Sequence, residues 1–120
     1  MAETDLKWHF RVEHTANSDR LRRAAIDRMH EVQQAEGGVG VSVVHEPNEE
    51  AGIDSVTVTA FGQKVLVVVG FHPNKVLIAI KAAPWLQVFK APIETRVREE
   101  IHTAVRSAGG EVISVSEKLA

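Results

Sequence analysis

Hydrophobic and polar positions change period several times along this chain, and each change marks an element. Leu6, Trp8, Phe10 and Val12 alternate with Lys7, His9, Arg11 and Glu13, the period of a strand with one buried and one wet face. Beyond His14 the segment ANSD begins a different pattern. Asn17 or Ser18 is placed to cap the free amides of a helix, and Asp19 complements its positive end. Leu21, Ala25, Met29 and Val32 then recur at helical spacing, and Gly37 and Gly38 supply a stop. From Val39 the period returns to two through Val41 and Val43, which predicts a second strand. The polar, acidic stretch from His45 to Gly52 reads as a loop. Its Glu46, Glu49 and Glu50 lack the spaced ligands and fixed glycine of a calcium loop.

Val56, Val58 and Ala60 alternate with Ser55, Thr57 and Thr59, a third strand with hydroxyls on its outer face. Two strongly apolar runs follow, KVLVVVGF and KVLIAIK, joined by His72, Pro73 and Asn74, and they predict a tight antiparallel hairpin. Both of its faces are apolar. Val65, Val67, Val69, Val76, Ile78 and Ile80 lie on one side and Leu66, Val68, Leu77 and Ala79 on the other, so the second face needs a cover. Pro84 suits a helix start, whereas Pro92 deep inside a helix would remove a backbone bond. The pattern therefore predicts either a short turn over Trp85 to Lys90 with a fresh helix from Pro92, or one helix kinked there. Ile93, Val97, Ile101 and Ala104 form its apolar stripe, and Gly109 and Gly110 end it. Val112, Ile113 and Val115 suit a short edge strand.

Short connections between consecutive strands require antiparallel pairing, and two one-sided helices must share a sheet face. The expected fold is a single α+β domain over residues 1–120: an antiparallel sheet of about five strands, two helices on one face, and a short C-terminal strand as an option. At 120 residues the chain suits one core. Its 44% hydrophobic and 25% charged composition is close to the average for soluble globular proteins and indicates neither a disordered nor a membrane class. A net charge of −2 gives no basic footprint for nucleic acid. No apolar run reaches the length of a transmembrane segment, and the absence of cysteine removes disulfide and thiolate chemistry. A cytoplasmic location is the expectation.

Candidate chemistry is sparse. His9, His14, His30, His45, His72 and His102 show no paired ligand spacing, so neither a metal nor a cofactor is expected. His14 is the best single candidate, because it ends the first strand beside a helix start; it has a backbone bond as its structural role and a ligand contact as its functional one. Glu94 and Glu99 do not share a helix face, and no serine lies in a nucleophile elbow, so the chain does not read as an enzyme. Trp85 and Phe89 either plug one end of the core or belong to a surface or ligand site.

Three features together resemble the polyhydroxyalkanoic acid system protein family, small bacterial proteins associated with storage polyester granules. These are FRVEH with its His14 just before the first helix, the paired apolar residues of the hairpin, and KAPIE at Lys90 to Glu94 opening the last helix. The resemblance implies a non-catalytic accessory role at a polyester granule surface. The apolar sheet face, Leu66, Val68, Leu77 and Ala79, together with the Trp85 region would then contact a second copy in a homodimer or the granule itself. The alternative is a homodimeric domain holding a small apolar ligand between the sheet and the C-terminal helix, lined by Trp85, Phe89 and Phe71.

Overall fold

The computed structural model describes residues 6–36, 41–48, 50, 52–60 and 62–117. Six strands and two helices follow one another as β1 (Leu6–His14), α1 (Ser18–Glu36), β2 (Val41–Asn48), β3 (Ile53–Ala60), β4 (Gln63–His72), β5 (Lys75–Ala82), a 3-10 turn (Pro84–Phe89), α2 (Lys90–Ser107) and β6 (Val112–Ser116). The strands form one antiparallel sheet in the order β2-β3-β4-β5-β1-β6. The fold is therefore α+β, with the C-terminal strand present as a sixth member beside β1. Gly37, Gly38 and Val39, expected at the end of the first helix and the start of the second strand, lie outside the described residues.

Strand phase decides the core. Trp8, Phe10 and Val12 of β1 pair across with Ile80, Ile78 and Val76 of β5, and all six are buried beneath the helices. Val67 and Val69 of β4, Val56 of β3 and Val43 of β2 continue this inner face. Leu21 of α1 and Ile101, Ala104 and Val105 of α2 close over it. The opposite residues, Leu66, Val68, Leu77 and Ala79, point away from both helices, and β6 lies beside β1 in the sheet plane. Among the described residues no element covers that outer face.

The helix ends follow the local chemistry. Asn17, not Ser18, caps α1: its Oδ1 accepts the amides of Asp19 and Arg20 at 3.0 and 3.1 Å. Pro92 falls in the first turn of α2, where its missing amide costs nothing, so the helix starts at Lys90, before the proline. At the other end Gly109 N–H donates to Arg106 O and Gly110 N–H to Val105 O, the paired bonds of a Schellman cap, with Gly109 at φ 82°.

One expectation is corrected. The stretch from His45 to Asn48 is not loop but the second half of β2, paired residue by residue with Val56 to Ile53. His45 and Pro47 keep the phase of Val43, and the proline is tolerated because β2 is an edge strand.

After the Schellman cap the chain passes so close to the β1–α1 connection that side chains are excluded. A Cβ on Gly110 would lie 2.5 Å from Ala16 N, and Thr15 and Glu111 exchange two hydrogen bonds there, Thr15 N–H to Glu111 O and Glu111 N–H to Thr15 Oγ1. Gly110→Ala is expected to destabilise the protein by about 2 kcal/mol through overpacking. Gly109→Ala, which meets no neighbour but keeps a left-handed φ, should cost about 1 kcal/mol. Thermal unfolding of the two variants gives the order; a smaller loss at Gly110 would mean that β6 is not clamped to this turn.

Candidate functional site

The helix layer rests on side chains of unequal size, and a trough results. Under one flank of α2 stand the large rings of β1: Lys90 Nζ lies 5.6 Å above the Trp8 ring and Arg98 Cζ 5.3 Å above that of Phe10. Under the other flank β3 and β4 present only valines, Val58, Val65 and Val67, which are too short to meet a helix held at the height of the aromatics. The space left is an open apolar trough of about 570 Å³ bounded by those valines, Ile93 and Val97 of α2, and Trp85, Leu86 and Phe89 of the 3-10 turn. A second recess of about 240 Å³ continues it toward α1 and shares Val58, Val67, Arg96 and Val97 with it. Its own walls include Met29, Val43, Val56 and Ile101. The combined size lies within the range of small-molecule sites.

Trp85 and Phe89 are 53% and 50% exposed, so neither plugs the core. Leu86, buried between them in sequence, does that instead. A 3-10 turn places successive residues about 120° apart, so Leu86 faces inward where Trp85 turns out; Phe89, at the end of the turn, also lines the trough. Phe71 is not part of this lining. It pairs with Val76 at the opposite end of β4 from Val65, about 20 Å away at strand rise.

The other apolar candidates lie on the far side of the sheet. Val68, Leu77 and Ala79 surround a shallow hollow of about 210 Å³ above Gly70, with Ile53 and His72. Leu66 flanks it, opposite Thr57 and Lys81. Neighbouring side chains half-bury Leu66, Val68 and Leu77, so Ala79 alone of the four is freely exposed. Trp85 and Phe89 therefore do not share a surface with these four residues.

His14 takes the structural role. It is 1% exposed, and its Nδ1 accepts the Ala16 amide at 3.1 Å. With Nδ1 engaged as an acceptor, the neutral ring carries its proton on Nε2. Burial pushes the imidazole below its ordinary pKa. Among the described residues its Nε2 has no hydrogen-bond partner.

A buried charge on β3 is held in part by His45, a residue of the expected loop. Asp54, 1% exposed and inward-facing on β3, accepts Arg22 Nε at Oδ2 (2.8 Å) and Arg22 Nη2 at Oδ1 (3.0 Å). His45 Nε2 lies 2.7 Å from the same Oδ1. Burial pushes this carboxyl up, and the hydrogen bonds and charges of Arg22 and His45 outweigh it, holding Asp54 below the usual carboxylate range. Both oxygens are committed, so the cluster pins α1 to the sheet and leaves no free base. Its signal in the sequence is phase: Asp54 falls in step with Val56 and Val58.

Among the described residues no three His, Asp or Glu side chains gather as a metal site. No helix among them is long and apolar enough to cross a membrane. No protein-family model matches the chain, and comparison with curated proteins finds no relative. The resemblance to the polyester-storage family is thus carried by the residues quoted above alone.

Asp54→Asn is expected to lower stability by about 3 kcal/mol at pH 7, since it removes the buried charge that Arg22 and His45 both meet. A carboxyl whose folded pKa is depressed stabilises above its unfolded value, near 3.8, and that contribution is lost as pH falls through the folded value. Urea unfolding at pH 7 and below pH 3 should therefore show the gap between wild type and variant closing in acid. An equal gap at both pH values would assign the loss to packing instead.

Proposed function

We propose that the chain is a non-catalytic binding protein that holds an apolar ligand or apolar surface in the trough between the sheet and α2, as an accessory of polyester storage. The observation that carries this reading is the trough itself: apolar walls with two half-exposed aromatic rings, Trp85 and Phe89, along them. Val88, between them in the chain, is 78% exposed and extends the apolar surface of the same turn. Rigid aromatic side chains offer large contact area at low entropic cost, so they suit a site that meets featureless hydrocarbon or polyester. The resemblance at FRVEH and KAPIE supplies the polyester context, and KAPIE opens the helix that forms one wall.

A second reading is favoured by the hollow at Gly70. In it the outer face, Leu66, Val68, Leu77 and Ala79, serves self-association into a homodimer. The half-buried state of three of those residues leaves that face less apolar area to offer than the trough, so it ranks second.

The two readings separate by substitution. Full-length protein is expected to enhance and blue-shift the emission of Nile red, a neutral apolar dye, and to sediment with isolated poly(3-hydroxybutyrate) granules. Trp85→Ala with Phe89→Ala should weaken dye binding at least tenfold, on the scale of truncated aromatic hot spots. Leu66→Lys with Leu77→Lys should leave dye and granule binding intact. Loss confined to the lysine pair, with a fall in mass by light scattering, would transfer the function to the outer face.

A further inference from the structure

The trough is apolar except at one edge, and there the charges have a definite arrangement. Arg96 lines both its parts, and Arg28 and Glu100 line the inner recess. Glu100 sits between the two guanidiniums: Arg96 Nε donates to Oε1 at 3.0 Å, while Arg28 reaches the same carboxylate through Nε at 2.5 Å and Nη2 at 3.3 Å. Arg28 also gives Nη1 to Glu31 at 3.2 Å on its outer side. Gln63 is the remaining polar wall residue. Burial pushes the Glu100 carboxyl up, but the bonds and charges of Arg28 and Arg96 hold it below its ordinary value, so it is ionised at neutral pH. The protein thus seats one of its own carboxylates on a pair of arginines at the mouth of a hydrocarbon-lined trough.

We infer that the trough takes a single-chain amphiphile with an anionic head, a medium-chain carboxylate, whose tail lies over the valines and whose head exchanges with Glu100 on Arg28 and Arg96. This rests on the reading of the trough as a ligand site and names its ligand class. The chemistry divides between the two parts of the molecule. Guanidinium is a planar, permanently charged partner for carboxylate and is weakly hydrated, which suits a rim position. All three rim side chains are partly exposed, so the head contributes selection more than affinity. The tail contributes affinity, about fourfold for each methylene buried, until the trough is filled. A neutral ester of the same length keeps the tail and loses the head.

Titration calorimetry of the full-length chain with decanoate, below its micelle concentration, and with methyl decanoate tests this, beside Nile red as the neutral probe. The acid is expected to bind at least tenfold more tightly than the ester. Arg96→Gln should bring the two within a factor of about three, on the scale of a partly exposed ion pair, the loss falling on the acid and any change at the shared wall appearing equally for ester and Nile red. Glu100→Gln, which removes the internal competitor, should strengthen decanoate binding severalfold relative to the ester. Thermal unfolding establishes that each variant is folded. Equal binding of acid and ester by wild type would overturn the anionic-head inference while the trough reading stands. A folded Glu100→Gln variant with unimproved decanoate binding would overturn the exchange. No binding of acid, ester or Nile red would remove the trough reading and this inference with it.

Discussion

The height at which α2 stands above the sheet governs the rest of the molecule. It is set by Trp8 and Phe10, which sit on an internal strand flanked by β5 and β6 and carry Lys90 and Arg98 on their faces. Aromatic rings fill the gap between helix and sheet on that side and bury large areas there. On the other side the strand positions that floor the trough, Val58, Val65 and Val67, are all valine. Valine suits the pleated sheet because its branched Cβ packs well along a strand, yet it reaches no further than two methyl groups. A helix propped on the aromatics therefore cannot meet the valines, and a folded interior that normally packs to near-crystal density is left with an open seam.

Charge then fixes how the two helices sit along that seam. Arg22 ties α1 to Asp54 on the inner face of β3, and Arg28 ties the same helix to Glu100 of α2. Desolvating such pairs costs much of what their attraction returns, so they contribute more to placement than to net stability. Their consequence for function is positional: one cluster locks α1 over the sheet, and the other sets a carboxylate and two arginines along the edge of the trough. Trp85 and Phe89 reach the trough by a separate route. The 3-10 turn between Pro84 and Phe89 commits Leu86 to the core and leaves the two rings at the opening.

Much of this was legible in the residues. The alternation in Leu6–His14 and in the hairpin after Gly62, the Asn17 cap and the glycine pair after Ser107 report local rules that the tertiary structure obeys. The extent of β2 was obscured because Glu46, Pro47 and Asn48 read locally as turn formers. Pairing with β3 overrides that preference, and Asp54 opposite reaches His45 through the inner face. The roles of Trp85 and Leu86 depend on the rotation of a 3-10 turn, which no apolar count reveals. The trough itself comes from comparing side-chain sizes across strands distant in sequence, β1 against β3 and β4, and strand order alone brings those into register. The same holds for Arg28, Arg96 and Glu100, which stand on two helices and meet only when those helices pack together.

The central claim is that the inner valine trough, rather than the outer sheet face, is the working surface. Methyl-resolved NMR on protein labelled at valine, leucine and isoleucine, titrated with the neutral ligand methyl decanoate, tests it most directly. The expected result is that Val58, Val65, Val67, Val97 and Ile93 shift together along one saturable curve while Leu66, Val68 and Leu77 stay fixed. Shifts confined to Leu66, Val68 and Leu77, or no saturable shift at any methyl group, would contradict it.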